Sequence, residues 1–311
     1  MGATTDILAM DERWLDAARS AATLGVRMAF ERVVNVAPRG GGRSPAAGLL
    51  WIGASSCPFG PGALVLGCDE LPEGLRDARA VRLSREGDGS FSLSIADASG
   101  AWMGVPLGRA VRIESCLLEK RPSLGKAQLR AKAALAQVFL ARRGDPASPF
   151  LARADDDKVA RATSRMLAEG GHELCRLMAE EPEDECALGR ALLMLVGLGA
   201  GLTPSGDDFI VGALAVNRHL NPSLSEPGEE AVARALHGVS QRTTDVSRLY
   251  LLSAARSRFS ECVSDAVRAL ALPCDRRAPA SALERLLGHG STSGTDTLAG
   301  MACMLKHLAS R

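Results

Sequence analysis

A turn rich in glycine and polar residues lies between two apolar runs, and its residue types are the ones best suited to chemistry in this chain. It spans residues 197–209 and combines glycines, two hydroxyls, a proline and two adjacent acids, between the apolar residues 191–196 and 210–216. Glycine permits positive φ and lets a ligand approach the backbone closely. A hydroxyl of Thr203 or Ser205 can cap the helix that follows. The free N–H groups and positive dipole end of such a helix favour a phosphate or carboxylate ligand.

A second turn of the same kind occupies residues 288–300. Aligned on Ser-Gly, the two turns agree at four positions, so both read S-G-x-D-x-x-x-G before an apolar helical pattern. The matching pairs are Ser205 and Ser293, Gly206 and Gly294, Asp208 and Asp296, and Gly212 and Gly300. The repetition predicts that two helix N-termini converge on one shared small anion. The other candidate ligand-binding residues in the turns are Gly199, Gly201, Thr203, Asp207, Gly290 and Thr292.

Asp208 and Asp296 are the candidate catalytic acids, each about one turn into its helix. Either they hold N–H groups of the facing turn or, with Asp207, they bind a divalent cation. The sequence demands no cofactor and leaves magnesium as an option. The structural alternative is that each acid only complements the positive end of its own helix dipole.

Two further groups complete the candidate site. His289 is the only histidine inside a glycine-rich turn, which favours proton transfer or hydrogen bonding near neutral pH. The polar residues 242–248 contain Thr243, Thr244 and Ser247, which either cap a helix or form a third helix start that brings hydroxyls and Arg248 to the same anion. The other histidines fall in helical patterns and are interpreted as structural or exposed; they are His172, His219, His237 and His307.

Composition excludes several classes of protein. The chain has 311 residues, 46% of them hydrophobic and 23% charged, as in an ordinary globular protein of about two domains. Its formal net charge of +1 offers no overall field that would recruit nucleic acid or an anionic membrane. Eight cysteines show neither a C-x-x-C pair nor zinc-site spacing, which indicates buried thiols in a reducing cytoplasm. No signal peptide or membrane-spanning run is expected, so we predict a cytoplasmic protein.

The pattern of apolar residues changes near residue 119. Residues 1–118 contain a short N-terminal helical pattern and then short apolar runs separated by Gly and Pro, with a hairpin signal at Asp88-Gly89. They predict a small antiparallel β-barrel or sandwich. Residues 119–311 have helical periodicity and predict a mainly α-helical domain that carries both Ser-Gly-x-Asp turns. The predicted fold class is α+β.

These motifs resemble those of a bacterial family that contains the AllH-like subunit of oxamate carbamoyltransferase, from anaerobic allantoin and purine catabolism. The motif G-x-G-L-T-P-S-G-D-D-F stands at residues 199–209, and H-G-x-T-S-G-x-D stands at residues 289–296. The resemblance extends more faintly to residues 30–36 and 51–67, so it covers most of the chain.

The resemblance implies a carbamoyltransferase-class subunit that works with an FdrA-like subunit and one other. The implied reaction is phosphorolysis of oxalurate to oxamate and carbamoyl phosphate. Phosphate, carbamoyl phosphate and oxamate are small anions suited to paired helix N-termini, whose N–H groups can also stabilise an oxyanion on the carbamoyl carbon.

Two alternatives remain at this point. Residues 294–300 are also similar to the G-x-D-T turn of ADP-ribosylglycohydrolases, helical hydrolases that bind two magnesium ions. The acidic motif that those enzymes carry near the N-terminus has no match before residue 155. The other alternative is a non-catalytic scaffold subunit that uses the two turns only to bind an effector anion.

Overall fold

The computed structural model describes residues 4–39, 48–120, 124–151, 157–180, 184–272 and 278–311. The chain folds into two compact units, Met1–Cys116 and Leu117–Arg311. Cys274 lies outside the described residues. None of the helices in the described residues combines the length and the apolar run that a membrane crossing requires.

The first unit is a closed β-barrel, which is one of the two architectures predicted for this region. Its described elements are β1 (Thr5–Asp11), α1 (Arg13–Arg19), β2 (Leu24–Ala29), β3 (Val33–Pro38), β4 (Leu50–Gly53), β5 (Ala63–Leu66), β6 (Ala80–Arg85), β7 (Phe91–Ala96), β8 (Trp102–Ala110) and β9 (Ile113–Glu114). The strand order is β5-β4-β3-β2-β6-β7-β8-β1, and the ring closes because β1 also pairs with β5. The short β9 adds to β1.

Most neighbouring strands of the barrel are antiparallel, as predicted. Strands β6 and β7 are joined at the predicted hairpin signal, where Gly89 has a φ of 85°. The pairs β4–β5 and β1–β8 are parallel. Each antiparallel pair reverses the strand direction, so a closed ring must contain an even number of antiparallel pairs. In a ring of eight strands the number of parallel pairs is therefore also even.

The barrel interior follows the alternation of the strands. On β7, Phe91, Leu93 and Ile95 are buried, while Ser92 and Ser94 are only partly buried. Side chains of a strand point alternately to its two faces, so the apolar set fills the interior. The unit therefore has a core of its own.

The second unit is mainly α-helical, as predicted. Its described helices are α2 (Lys126–Arg143), α3 (Lys158–Ala179), α4 (Glu185–Leu193), α5 (Ser205–Leu220), α6 (Glu226–Val239), α7 (Asp245–Ala254), α8 (Glu261–Ala271), α9 (Ala278–Leu287) and α10 (Ser293–Ser310). Helices α5 and α10 are buried along most of their lengths, and α10 packs extensively against α5. A helix that is apolar on nearly all sides is expected at the centre of a helical core.

Two glycines let α5 and α10 approach each other closely. A Cβ atom at Gly212 would lie 1.9 Å from the carbonyl oxygen of Thr297, and one at Gly300 would lie 2.0 Å from that of Phe209. Gly212 and Gly300 are matching positions of the repeated sequence. The two helices therefore contact each other through the same part of the repeat, which sets their first turns side by side.

Candidate functional site

The two Ser-Gly-x-Asp turns meet in the second unit. A hydrogen bond of 2.8 Å joins Thr203 Oγ1 of the first turn to Ser293 Oγ of the second. The contacts are reciprocal. The side chain of Ser293 hydrogen-bonds to the carboxyl group of Asp208, and that of Ser205 hydrogen-bonds to the carboxyl group of Asp296. The structure thus brings together the two helix starts that the repeated sequence predicted to converge.

The equivalence of the two turns extends to their backbone. The N–H group of Gly206 donates to the Leu198 carbonyl at 2.9 Å, and that of Gly294 donates to the His289 carbonyl at 3.1 Å. A Cβ atom at Gly206 would lie 2.0 Å from the carbonyl oxygen of Leu195. Gly206 and Gly294 were predicted to bind ligand, but the close packing of the backbone is what requires glycine at Gly206.

The glycines at the front of the turns have a different environment. Gly199, Gly201 and Gly290 are exposed and have positive φ values of 127°, 91° and 67°. At Gly201 an added Cβ atom would meet nothing within 4 Å. Conformation rather than packing therefore favours glycine at Gly201, where the backbone is open to a ligand.

The predicted helix caps are wrong. Helix α5 has Pro204 at its N-cap and α10 has Thr292, and neither start has a side-chain cap. The hydroxyl of Thr203 instead bonds to Ser293, which leaves it at the junction of the turns. Several backbone donors of α5 are also used internally, since Asp207 and Asp208 donate to the Pro204 carbonyl. The two turns thus present hydroxyl groups more than a row of free N–H groups.

Asp207 holds the first turn in place. Its Oδ1 accepts a hydrogen bond from the N–H of Gly197 at 2.9 Å, and its Oδ2 accepts bonds from Ser247 Oγ at 2.6 Å and from the hydroxyl of Thr243. Burial raises the pKa of Asp207, and the bonds from Ser247, Thr243 and Gly197 oppose that increase. Both carboxyl oxygens are occupied, so Asp207 acts as an anchor of the turn.

The polar run before α7 supports the same turn. Thr244 caps α7 by accepting a bond of 3.1 Å from the Ser247 N–H, and its hydroxyl donates to the Leu202 carbonyl. Arg248 Nε donates to the Ser240 carbonyl at 2.9 Å, and its Nη1 lies 3.3 Å from Asp245 Oδ1. The capping interpretation of Thr244 is confirmed, and Arg248 is bound within its own segment.

Asp208 and Asp296 differ from Asp207 in their bonding. Oδ2 of each is buried and has no hydrogen-bond partner among the described residues. Burial is the main reason that the pKa of both carboxyl groups is raised, and for Asp208 it lies well above its usual value. The negative charge of Asp296 raises the pKa of Asp208 further, while Ser293 and Thr203 oppose this. The junction therefore contains two carboxyl groups that bind a proton more readily than usual.

Ser148 is a site residue that sequence reasoning missed. Its Oγ donates to Asp296 Oδ1 at 2.5 Å, and the neighbouring Asp145 N–H donates to Thr295 Oγ1 at 2.9 Å. Both bonds connect the segment after α2 to the first turn of α10. The Asp145-Pro146 break was visible in the sequence, but nothing local indicates that the segment reaches residues about 150 positions later.

His289 lies on the exposed side of the second turn. Its carbonyl accepts the bond from Gly294, so the backbone of His289 is part of the turn structure. Desolvation by the surrounding protein lowers the pKa of the imidazole, because it disfavours the charged form. A neutral imidazole is suited to accept a proton near neutral pH.

Replacing Asp208 with asparagine is expected to stabilise the protein at neutral pH. A raised pKa means that the folded protein binds the proton more tightly than the unfolded chain does. The stability from this group is complete below the unfolded pKa and is lost as pH rises through the folded pKa. The urea midpoint of Asp208→Asn, relative to that of wild type, should therefore increase as the pH rises from about 4, near the pKa of an unfolded aspartate, towards neutral.

Urea denaturation over this pH range measures the effect. Asp16→Asn, at an exposed position of α1, is the comparison variant. An equal pH response of the two variants would contradict the raised pKa of Asp208.

Residues 195–305 match the family model for "Oxamate carbamoyltransferase subunit AllH". The matched range contains both Ser-Gly-x-Asp turns and the polar run before α7. No solved structure matches the chain significantly.

Proposed function

We propose, from the match of residues 195–305 to the AllH family model, that this chain is a subunit of an oxamate carbamoyltransferase-type complex. In the proposed reaction, oxalurate and phosphate give oxamate and carbamoyl phosphate. The joined turns bind a small anionic ligand, and operon-encoded partners, one of them FdrA-like, complete the assembly.

The hydrogen bond of 2.8 Å between Thr203 and Ser293 carries the proposal. It sets hydroxyl groups from two helix starts within reach of one small molecule. Each hydroxyl can rotate to donate to a ligand oxygen. The exposed glycines Gly199, Gly201 and Gly290 leave the backbone open beside the hydroxyls. Both features favour a compact anion.

Asp208 and Asp296 suit the carbamoyl part of the ligand. Each has a buried carboxyl oxygen without a partner among the described residues. Oxalurate, oxamate and carbamoyl phosphate all carry amide N–H groups, which a carboxyl oxygen can accept. Sulfate has the anionic oxygens but no N–H group, so we expect the site to prefer the carbamoyl ligands to sulfate.

The proposed reaction gives each candidate residue a role. A phosphate oxygen forms a bond to the carbamoyl carbon, the bond from that carbon to the oxamate nitrogen breaks, and this nitrogen takes up a proton. Ser293 donates to the oxyanion that develops on the carbamoyl oxygen. The raised pKa of Asp208 suits it to supply the proton, and the lowered pKa of His289 suits it to accept one from phosphate.

The negative charge of Asp208 and Asp296 gives the partner subunits a possible role in anion binding. An ionised Asp208 and Asp296 would repel an anion unless protons or a cation balanced their charge. Because the pKa of both groups is raised, bound protons neutralise part of this negative charge. A magnesium ion or a basic side chain of a partner subunit would neutralise the remainder. We therefore expect oxamate to bind more tightly to the assembled complex than to the isolated chain.

Binding of oxamate and carbamoyl phosphate by calorimetry tests the proposal. Ser293→Ala and Thr203→Val should each weaken binding by about 10-fold to 100-fold, because each removes a hydrogen bond to a charged ligand. Ser164→Ala is the control, since the Ser164 hydroxyl donates to the Ala160 carbonyl within its own helix, α3. Equal affinities of all three variants would remove the junction from the binding site.

Turnover separates the proposed function from its alternatives. Phosphorolysis of oxalurate is measured with the chain alone and with the FdrA-like and third subunits. Turnover only in the complex, lost in Ser293→Ala, supports a catalytic subunit. Binding without any effect of Ser293→Ala on turnover indicates a scaffold, and magnesium-dependent hydrolysis of ADP-ribosylated substrates indicates the glycohydrolase alternative.

A further inference from the structure

A second group of reactive side chains lies apart from the two turns. It consists of His172 on α3 and of Cys303 and His307 on α10. His172 Nδ1 lies 3.2 Å from His307 Nε2, and Cys303 Sγ lies 3.8 Å from His172 Nδ1. All three ligand atoms are within 4.8 Å of one another. Side chains that sequence analysis interpreted as separate structural or exposed residues are thus gathered at one point.

The distances suit one small transition-metal ion. A tetrahedral zinc ion bonds to histidine nitrogen at about 2.0–2.1 Å and to cysteine sulfur at about 2.3 Å, which sets two nitrogen ligands about 3.3 Å apart and a nitrogen and a sulfur ligand about 3.6 Å apart. The nitrogen–nitrogen separation of 3.2 Å and the sulfur–nitrogen separation of 3.8 Å lie close to these values. Small rotations of the three side chains would therefore be enough to bring their ligand atoms around a single ion.

Helix geometry explains how the group forms. Cys303 and His307 are four residues apart on α10, so both project from the same face of that helix. His172 comes from α3, which packs against α10, and is 131 residues away from Cys303. The usual zinc-site signature relies on pairs of ligands close in sequence. Only one such pair is present here, and the third ligand comes from a distant helix.

The chemistry of the three groups selects the class of metal. Cysteine sulfur and imidazole nitrogen favour zinc and similar late transition metals, whereas magnesium and calcium prefer oxygen ligands. The thiolate form of cysteine is the one that binds metal.

The surroundings leave room for a further ligand. His172 and Cys303 line a cleft of about 330 Å³, together with apolar side chains and the polar residues Gln137 and Lys306. Three protein ligands beside such a space match the pattern in which the fourth coordination position is left for water or a substrate. Phe209, the last residue of the first turn motif, also lines the cleft.

We propose that His172, Cys303 and His307 bind one zinc-class divalent transition-metal ion whose fourth coordination position faces this cleft. Its three ligands are distinct from those of the magnesium option at Asp207, Asp208 and Asp296, since none of them belongs to the two turns. It stands independently of the proposed carbamoyl chemistry.

Titration of the tag-free, metal-stripped full chain with Co²⁺ and then Zn²⁺ tests the proposal. Co²⁺ should bind one ion per chain and give the intense visible bands of a tetrahedral site together with a sulfur-to-cobalt charge-transfer band, and Zn²⁺ should displace it. Cys303→Ser, His172→Asn and His307→Asn should each weaken Zn²⁺ binding by at least about 100-fold. Mg²⁺ should not compete.

Two variants serve as matched controls. Cys186→Ser changes an exposed free thiol, and His237→Asn changes an exposed helical histidine. Both should keep the wild-type affinity and spectrum, and far-ultraviolet circular dichroism checks that every variant is folded. His172→Asn, at an exposed position, keeps the test decisive if Cys303→Ser does not fold. Unchanged Zn²⁺ affinity in the three ligand variants, or cobalt spectra without sulfur charge transfer, would overturn the proposal.

Discussion

Gly212→Ala and Gly300→Ala are expected to destabilise the helical unit by about 3 kcal/mol or more. The added methyl group would lie 1.9 Å from the Thr297 carbonyl oxygen in the first case and 2.0 Å from the Phe209 carbonyl oxygen in the second. Backbone atoms cannot rotate away as a side chain can, so α5 and α10 must separate. Separation would also pull apart Thr203 and Ser293, and ligand binding should be lost with stability.

Two other helical glycines give the matched controls. Gly189 on α4 and Gly238 on α6 have nothing within 4 Å of an added Cβ atom. Alanine there should be neutral or stabilising by about 0.5–1 kcal/mol, because alanine has the higher helix propensity. Urea denaturation followed by circular dichroism compares the four variants. Similar urea midpoints for Gly212→Ala and Gly238→Ala would contradict the claim that α5 and α10 pack too closely to admit a methyl group at Gly212.

Asp207→Ala is expected to cost about 3 kcal/mol and to release the first turn. The change leaves three donors without their acceptor: the hydroxyls of Thr243 and Ser247 and the N–H group of Gly197. Residues 197–204 would then lose the connection to the start of α7 that runs through Asp207, while the bond from the Thr244 hydroxyl to the Leu202 carbonyl would remain. Asp207→Asn should cost less, because an amide oxygen can still accept one of these bonds.

Stability and local exchange are measured together for this prediction. Urea denaturation gives the loss of free energy, and hydrogen exchange should show faster exchange of the backbone amides in residues 197–204. Asp245→Ala is the control at the neighbouring helix start, where the partly exposed acid pairs with Arg248 at 3.3 Å. It should cost less than about 1 kcal/mol. Unchanged exchange in Asp207→Ala would contradict the anchoring role.

The meeting of the turns could be predicted because the evidence is local and repeated. Ser205 and Ser293 begin matching motifs before apolar helices, and two such helices in one core bury the same face. The β-barrel was predicted for a similar reason, since short apolar runs and turn residues mark successive strands. Whether the sheet closed as a barrel or stacked as a sandwich depended on the β1–β5 pairing, which joins strands distant in sequence.

The parts that sequence could not predict are those decided by distant partners. Thr203 was assigned as a cap from its position before a helix, but Ser293 competes for its hydroxyl. Gly206 was assigned to ligand binding, although the Leu195 carbonyl is what excludes a side chain there. His172 and Ser148 belong to clusters whose other members lie more than a hundred residues away.

The bond between Thr203 and Ser293 also implies that the contact between the two turns forms late in folding. It joins residues 90 positions apart, and its geometry depends on α10 lying against α5. Contacts between distant residues form late, because the entropy lost in closing a long loop must be offset by packing already in place. Folding intermediates that lack a docked α10 would therefore contain neither the joined hydroxyls nor the paired acids, even when α5 is already helical.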